Sequence, residues 1–333
     1  MTTILCTLYN SLYLDKGLVL YDSLCECSKN FVLYVLCMDD KCYEVLSDMN
    51  QSNHIPIRLA DFEKGDDKLL EAKSNRPVGE YCWTCSSSFI RYILREFKHD
   101  TCTYIDADMY FYQDPQSLVD EMLLAGKSVM VMPHRFSKGN EKQAEKVGTY
   151  CVEFNTFCNN QEGLEVLEYW RERCLDCCSN IGDGIHWGDQ KYLEELVRNY
   201  KCVHVCHNLK AGVAPWNIDQ YKIKDMPFIF YHFQSLRYIS RLLIDINIST
   251  YPSIDLKLID ALYYPYLNKI EQKKKYLEQK GLTSQLIKKH PTDRSVSVWK
   301  QLFCFINPRR ILSNIKLRYL HVHPYIINLG DEN

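Results

Sequence analysis

The run TYIDADMYFY at residues 103–112 places two carboxylates, Asp106 and Asp108, inside an otherwise apolar, β-prone segment. An ionised carboxylate in such a segment is costly to bury unless it meets a cation. A divalent metal ion binds carboxylate oxygens at ~2.0–2.6 Å and keeps positions for water and substrate phosphates. An Asp-x-Asp pair can also be a solvated turn. A strand ending near Tyr104 favours the metal site, because ligands bind beyond the carboxyl ends of strands in open α/β sheets.

Strand and helix patterns alternate on both sides of this run. Apolar or amphipathic segments occur at residues 3–9 (TILCTLY), 18–27 (LVLYDSLCEC), 30–38 (NFVLYVLCM) and 86–97 (SSSFIRYILREF). Further strands are predicted at 129–132, ending at Pro133, and at 151–157, with a helix at 163–178. The alternation predicts an α/β fold with a mixed, mostly parallel sheet flanked by helices.

Length and charge indicate two parts of the chain. At 333 residues, one large domain plus an extension fits, and we place them at 1–250 and 251–333. The net charge of −2 excludes a nucleic-acid binder recognised by overall basicity. Between Lys269 and His321 there are thirteen Lys or Arg and three Asp or Glu, so the predicted helical extension is basic.

The sixteen cysteines are spread along a long chain, and the N-terminal run lacks the basic start of a signal peptide. We therefore expect reduced thiols and a cytoplasmic location. The spacings of Cys25 with Cys27 and of Cys82 with Cys85 could also bind zinc, but buried small apolar side chains explain them as well. No run approaches the ~18–20 apolar residues that cross a bilayer.

Five motifs in a fixed order resemble one enzyme family. They are YIDADMYFYQDP (104–115), FNT (154–156), WGDQKYL (187–193), APWN (214–217) and FYHF (230–233). Together they resemble GT-A glycosyltransferases, particularly the retaining family of bacterial lipopolysaccharide galactosyltransferases and glycogenin, over roughly Thr3 to Ser240. The resemblance extends to predicted sugar transferases of bacterial surface-polysaccharide synthesis. It implies a Rossmann-like GT-A fold and transfer from a nucleotide diphosphate sugar, with UDP expected, to a glycan or lipid-linked acceptor.

The resemblance also implies roles for individual residues. The metal ligands would be Asp106, Asp108 and His232, holding Mn²⁺ or Mg²⁺, and the imidazole tilts the choice toward manganese. The catalytic and sugar-side residues would be Asp189, Gln190 and Asn155. The residues that contact the nucleotide sugar would be Thr7, Tyr9, Asn10, Asp39, Asp40, Arg91 and Arg237.

Several of these residues have a structural alternative. His232 could be a core histidine, Asn155 a buried amide that satisfies strand ends, and Asp189 a helix N-cap. Asp39 and Asp40 could form a solvated turn, and Arg91 could form a helix-surface ion pair. The family's glycine and lysine after His232 are replaced by Ser235 and Tyr238, which leaves Arg237 as the nearby cation for the leaving diphosphate.

Two other functions share parts of this pattern. A haloacid-dehalogenase phosphatase uses Asp-x-Asp with magnesium, but its motif follows the first strand. A sugar nucleotidylyltransferase needs a glycine-rich signature there, and Thr7 to Ser11 contains no glycine. A non-catalytic carbohydrate-binding protein would not need Asp106, Asp108 and His232 together.

The C-terminal extension carries two amphipathic patterns. After Pro308, apolar residues such as Ile311 and Ile315 fall on one arc of a predicted helix, beside basic residues such as Arg309 and Lys316. Such helices can lie in a membrane interface against anionic lipids, which predicts peripheral attachment to the inner leaflet of the cytoplasmic membrane. They could equally pack on the acidic remainder of the chain.

Overall fold

The computed structural model describes residues 1–179, 187–238, 243–246, 254–282 and 326–328. The strands are β1 (Thr3–Tyr9), β2 (Phe31–Cys37), β3 (His54–Arg58), β4 (Thr101–Ile105), β5 (Met109–Phe111), β6 (Val129–Pro133), β7 (Tyr150–Cys158), β8 (Val203–Val205), β9 (Phe230–His232), β10 (Arg237–Tyr238), β11 (Leu243–Asp245) and β12 (Ile326–Asn328). The helices are α1 (Leu14–Cys27), α2 (Asp40–Met49), α3 (Leu59–Glu63), α4 (Asp67–Asn75), α5 (Val78–Phe97), α6 (Gln116–Leu124), α7 (Gln143–Val147), α8 (Gln161–Asp176), α9 (Leu193–Asn199) and α10 (Leu256–Gln279).

The central sheet has seven strands in the order β3-β2-β1-β4-β7-β6-β8. Strand β7 runs antiparallel to both of its neighbours, and the other pairings are parallel. Strands such as β1 and β4 are buried almost throughout, as expected for a sheet covered on both faces. The predicted fold class, α/β with a mixed and mostly parallel sheet, is confirmed.

Helices cover the two faces of this sheet and bury separate apolar clusters. On one face α1, α2 and α6 contribute residues such as Leu18, Leu46 and Met122. On the other face α5 and α8 contribute residues such as Phe89 and Trp170, whose indole stacks on Phe157 at a centroid distance of 5.6 Å. Each large apolar side chain buried in this way stabilises the fold by roughly 1.5–3 kcal/mol.

Element boundaries follow local chemistry that the apolar pattern does not show. Helix α5 begins at Val78, eight residues before its predicted start, directly after Pro77. Proline lacks a backbone N–H and has a fixed φ, so it fits at a helix start, whereas inside a helix it removes a hydrogen bond. Helix α8 begins at Gln161 because the Asn160 side chain accepts a hydrogen bond from the Gly163 N–H at 2.8 Å.

The first part of the predicted extension packs against the sheet domain. Helix α10 shares an apolar cluster with α1 and β9. In this cluster the Phe233 ring stacks on the Tyr266 ring at a centroid distance of 3.6 Å. Lys273 pairs with Asp22 of α1 at 2.5 Å. The amphipathic patterns after Pro308 lie outside the described residues. None of the described helices combines the length and hydropathy that crossing a bilayer requires.

Candidate active site

The Asp-x-Asp pair lies where the sequence predicts it, immediately beyond the carboxyl end of β4. The backbone on both sides is held by neighbouring strands: Asp106 N–H donates to the Glu153 carbonyl at 3.3 Å, and Phe233 N–H donates to the Asp108 carbonyl at 2.9 Å. Strand β5 pairs with β9 so that Met109 lies opposite His232. This register brings His232 beside the two carboxylates although it is 124 residues from Asp108 in the chain.

Three donor atoms converge at this point. His232 Nε2 lies 3.0 Å from Asp108 Oδ1 and 3.7 Å from Asp106 Oδ2. The histidine side chain is 4% exposed, whereas those of Asp108 and Asp106 are 16% and 32% exposed, so the carboxylates face solvent. The structure therefore brings the three predicted metal ligands together.

A fourth residue, Glu153, was missed by the sequence interpretation. Its carboxyl is fully buried on β7, and Oε2 lies 2.7 Å from His232 Nδ1, on the far side of the imidazole from Asp108. Its other oxygen, Oε1, has no hydrogen-bond partner among the described residues. The signal was present, because Glu153 stands inside the apolar run YCVEFNTFC just as Asp106 stands inside its own.

The electrostatics of the cluster follow from burial and crowding of like charges. Burial raises the pKa of Asp106 to about 6, opposed by His232 and reinforced by the negative charges of Asp108 and Glu153. Burial also acts to raise the pKa of Asp108, but the charge and hydrogen bond of His232 lower it to about 2. Burial would lower the pKa of His232, yet Asp108 and hydrogen bonds to Cys151 and Glu153 raise it well above its usual value. Without a metal, a protonated imidazole thus supplies the cation that the carboxylates need.

Asp189 faces the same region from the other side. Its Oδ2 accepts a hydrogen bond from Ser86 Oγ of α5 at 2.6 Å, and its carbonyl accepts from Trp170 Nε1 at 2.9 Å. Burial raises the pKa of Asp189 to about 7; the Ser86 hydrogen bond opposes the rise and the charge of Asp106 adds to it. The following helix begins at Leu193, so Asp189 is not its N-cap. Gln190 Nε2 donates to the Val147 carbonyl at 2.6 Å.

The candidate nucleotide residues lie at the carboxyl ends of β1 and β2. Thr7 and Tyr9 are buried, and neither hydroxyl has a hydrogen-bond partner within the described part of the chain. The Asn10 side chain accepts from Leu12 N–H at 3.1 Å. Asp39 caps α2 by accepting from Cys42 N–H at 2.8 Å. Asp40 is largely exposed, with Oδ1 3.2 Å from Arg58 Nη1.

The other predicted residues have mixed surroundings. Arg91 Nε lies 2.7 Å from Glu168 Oε2, so the ion pair weighed as its alternative is formed. Asn155 is fully buried opposite Tyr104; its Nδ2 donates to the Cys151 carbonyl at 3.2 Å, and its oxygen lacks a partner among the residues described. The Arg237 backbone belongs to β10 and pairs with Asp245.

An aromatic wall stands next to His232. The Trp216 ring meets the imidazole edge to face at a centroid distance of 5.5 Å. Trp216 Nε1 and Asn217 Nδ2 both donate to the His134 carbonyl, at 2.8 and 2.9 Å. The APWN motif is therefore fastened to the end of β6. Trp216 is only partly buried and can present a ring face to a ligand.

Comparisons with known proteins add relatives of two kinds. No protein-family profile matches the chain. Two proteins of Bacillus subtilis (strain 168), both described as uncharacterized, are similar to it: YfnD is 31% identical over 78% of this chain and 86% of its own length, and YfnF is 30% identical over 72% and 84%.

Similar solved structures are those of glycosyltransferases, the class that the sequence motifs resemble. Mouse xyloside xylosyltransferase 1 covers 71% of this chain and 98% of its own (13% identity, TM-score 0.47). The glycosyltransferase GlyE of Streptococcus pneumoniae TIGR4 covers 85% of this chain and 64% of its own, with 14% identity and a TM-score of 0.47. The galactosyltransferase LgtC covers 72% of this chain and 88% of its own, with 10% identity and a TM-score of 0.40.

At these identities and TM-scores, the activity of this chain has to be derived from its own site. The similarity to the two Bacillus proteins does show common membership of a family, because it reaches 30–31% identity and extends over most of both sequences. This chain belongs to the protein family of Bacillus subtilis YfnD and YfnF.

Proposed function

We propose that the chain is a metal-dependent glycosyltransferase that moves a sugar from a nucleotide diphosphate, with UDP as the expected nucleotide, to a glycan or lipid-linked acceptor. The observation that carries the proposal is the convergence of Asp106, Asp108 and His232 at the carboxyl end of β4, with Glu153 behind the histidine. The likeness to glycosyltransferases in motif order supports it.

The residues present fit a divalent ion. Two ligand atoms in neighbouring positions of an octahedron, each about 2.1 Å from the metal, are about 3.0 Å apart. His232 Nε2 and Asp108 Oδ1 have this separation, and Asp106 Oδ2 lies slightly farther from His232 Nε2, at 3.7 Å. The Glu153 carboxylate accepts from Nδ1–H, which keeps the Nε2 lone pair directed at the site. A mixed oxygen and imidazole set favours Mn²⁺, with Mg²⁺ as the alternative.

When bound, the metal supplies Lewis-acid stabilisation of the negative charge that develops on the departing nucleotide diphosphate. Residues of the chain bind the nucleotide and the diphosphate. We assign nucleotide binding to Thr7 and Tyr9, whose hydroxyls have no partner among the described residues, and to Asn10, Asp39 and Asp40. Arg237, with Arg91 as the second candidate, provides fixed positive charge for the diphosphate.

On the sugar side, Ser86 holds the Asp189 carboxylate in place and Val147 holds the Gln190 amide. We assign to these two residues, together with Asn155 and Trp216, the orientation of the donor sugar and of the incoming acceptor hydroxyl. We propose retention at the anomeric carbon on the resemblance of this Asp-Gln pair to retaining enzymes. NMR analysis of the anomeric configuration of the transferred sugar tests it.

A nucleotide-sugar panel tests the central proposal. Purified full-length chain is incubated with each nucleotide diphosphate sugar, with and without Mn²⁺, and release of the nucleotide diphosphate is measured. We expect metal-dependent turnover of one donor, lost in Asp106→Asn and Asp108→Asn and retained in Asp120→Asn, an exposed acid of α6. Turnover of phosphomonoesters instead would indicate a phosphatase. Carbohydrate binding without turnover, unaffected by metal, would indicate a binding protein.

The place of action is a separate part of the proposal. We propose a role in surface-polysaccharide synthesis at the inner face of the cytoplasmic membrane, with the basic C-terminal region against anionic lipid. The charge balance of residues 288–318, eight Lys or Arg against one Asp, supports it. Liposome co-sedimentation tests it: binding should require anionic lipid, fall with salt and disappear when residues 298–333 are deleted. Equal binding by the truncated chain would contradict the role of the tail.

A further inference from the structure

A second group of metal-binding side chains lies at the edge of the central sheet. Strand β8 is the last strand on this edge, and the sequence His204-Val205-Cys206-His207 covers its end and the two residues that follow. Glu121, on the neighbouring helix α6, faces this segment. None of these four residues belongs to the candidate active site.

Three of these side chains, Glu121, His204 and His207, are close enough to share one ion, and Cys206 lies beside Glu121. Glu121 Oε1 lies 2.7 Å from His204 Nε2, and Glu121 Oε2 lies 3.9 Å from Cys206 Sγ. The ligand atoms of Glu121, His204 and His207 all lie within 4.8 Å of one another. The two imidazole rings are 5.0 Å apart, centroid to centroid. The structure therefore gathers three ligand atoms, and the Cys206 thiol has to turn toward them to become the fourth.

Burial in the cluster is graded from inside to outside. Cys206 is 2% exposed, the His204 side chain is 10% exposed and that of Glu121 is 24% exposed, while His207 is on the surface. The Glu121 carboxylate is already oriented, because its Oε1 also accepts a hydrogen bond from the His207 backbone N–H at 2.8 Å. An ion can therefore enter from the His207 side and meet three side chains that the fold has positioned.

The cluster is distinct from the Asp106 site. In the sheet order, β6 and β7 stand between β8 and β4. At ~4.8 Å per strand, this separates the two sites by roughly 14 Å. A metal bound at the sheet edge is thus too far away to contact the same substrate atoms.

We propose that Glu121, His204, Cys206 and His207 form a zinc site. Two imidazoles, a thiolate and a carboxylate make a four-ligand set of the kind that zinc takes in closed structural sites, and hard ions such as Mg²⁺ do not favour it. The zinc ties the edge strand β8 to α6. It also anchors the start of the segment 206–217, which leads to Trp216 beside His232. Because it does not depend on sugar transfer, this proposal stands or falls separately from the transferase function.

Zinc binding is measured on untagged full-length protein by competition with a chromophoric chelator. Because zinc can also enter the Asp106 site, the measurement is made in an Asp108→Asn background as well as in the unaltered chain. We expect one equivalent of zinc to remain bound in Asp108→Asn. Adding His207→Ala should lower the affinity for this zinc ion by more than ~10–100-fold. That range is the loss expected when a residue only hydrogen-bonds to a ligand, so a larger loss identifies His207 as a ligand. His207 is exposed, so this variant keeps its fold, which circular dichroism checks.

Cobalt substitution tests the sulfur ligand. Co²⁺ bound by a thiolate shows a sulfur-to-metal charge-transfer band. The measurement is made in a Cys151→Ser background, because Cys151 lies with Glu153 and His232 in the active site and could itself bind cobalt. The band should be present in this background and after adding Cys25→Ser, an exposed cysteine, and absent after adding Cys206→Ser. A band that persists in Cys206→Ser would contradict the four-ligand site. Two outcomes would overturn the proposal: an unchanged zinc affinity in both His204→Ala and His207→Ala, or no zinc retained by Asp108→Asn. In either case the cluster would be an ordinary histidine–carboxylate hydrogen bond.

Discussion

The metal end and the nucleotide end of the candidate site are built in opposite ways. At the metal end, Asp106, Asp108 and Glu153 crowd negative charge around His232 in a mostly buried space. At the nucleotide end, the side chains of Asp39 and Asn10 hydrogen-bond to the fold itself. Asp39 caps α2 and accepts from the Ser11 N–H and hydroxyl, and Asn10 caps a turn after β1. Crowded buried charges are costly unless a ligand requires them, whereas local caps stabilise the fold with or without a ligand.

This difference determines which residues can be assigned a ligand-binding role from their geometry. A cap residue gives the same structure whether or not it touches a nucleotide, so its geometry does not separate the two roles. The metal end leaves a buried Glu153 oxygen unpartnered among the described residues and places an acid with a raised pKa next to one with a lowered pKa. The nucleotide end has two comparable features, the unpartnered hydroxyls of Thr7 and Tyr9.

The largest effect is expected from changing the metal ligands. Asp108→Asn should lower kcat/KM for the donor by at least ~100-fold, because it removes a charged ligand from a group that stabilises the leaving diphosphate. The asparagine keeps a contact to His232 but loses the charge whose pairing with His232 lowers the pKa of Asp108 to about 2, so the metal-free protein should also melt at a lower temperature. Steady-state kinetics with and without Mn²⁺ checks this. Full activity with metal present would refute the assignment of the metal end.

Glu153→Gln should have the next largest effect. The glutamine keeps the volume and can accept from His232 Nδ1–H, but it removes the charge that holds the imidazole. We expect manganese affinity to fall by ~10–100-fold, as for other residues that orient a metal-binding histidine. Electron paramagnetic resonance of free Mn²⁺ gives the affinity without any assay of activity. Unchanged affinity with lowered stability would make Glu153 a packing residue only.

Asp189 should make stability depend on pH. Its folded-state pKa of about 7 lies above the ordinary value of 3.8, so the folded chain binds this proton more tightly than the unfolded chain. Its contribution to stability is therefore present at low pH and is lost as pH rises from about 4 to about 7. In metal-free protein, Asp189→Asn should flatten this part of the curve of unfolding free energy against pH. An unchanged curve would show that Asp189 is ionised at no cost.

The sequence predicted the sheet, and Asp106 and Asp108 as candidate metal ligands, because each leaves a local signal, whereas His232 was assigned from the family resemblance. Alternating apolar runs identified the strands, and acids inside an apolar run identified Asp106 and Asp108. Helix starts set by Pro77 and Asn160 were missed because they depend on one residue each, outside the apolar pattern. Glu153 and Ser86 were missed because their roles arise from strand register and from a helix face meeting a distant loop.

Thr7 gives a sharper test of the nucleotide end than any cap residue does. Thr7→Val keeps the shape and removes a buried hydroxyl that lacks a partner in the described structure, so stability should stay equal or rise slightly. If the hydroxyl binds the nucleotide, affinity for the nucleotide diphosphate should fall by about fivefold, corresponding to roughly 1 kcal/mol for one hydrogen bond. Thermal melting and calorimetric titration measure the two effects. Lower stability with unchanged affinity would assign Thr7 to the core.

Arg91 should give the smallest effect. Its guanidinium is paired with Glu168 at 2.7 Å, and both side chains are more than a third exposed, so the pair should contribute only ~0.2–1 kcal/mol to stability. If Arg91 serves only this pair, Arg91→Ala should lower the unfolding free energy slightly. Glu168→Ala should lower it more, because it also removes the pair with the buried Arg171 at 2.8 Å. Neither should change KM for the donor. If Arg91 instead reaches the diphosphate when the donor binds, Arg91→Ala should raise KM while Glu168→Ala leaves it unchanged or lowers it by freeing the arginine. Comparing KM between the two variants therefore decides whether Arg91 belongs to the nucleotide end or to the surface of α5 and α8.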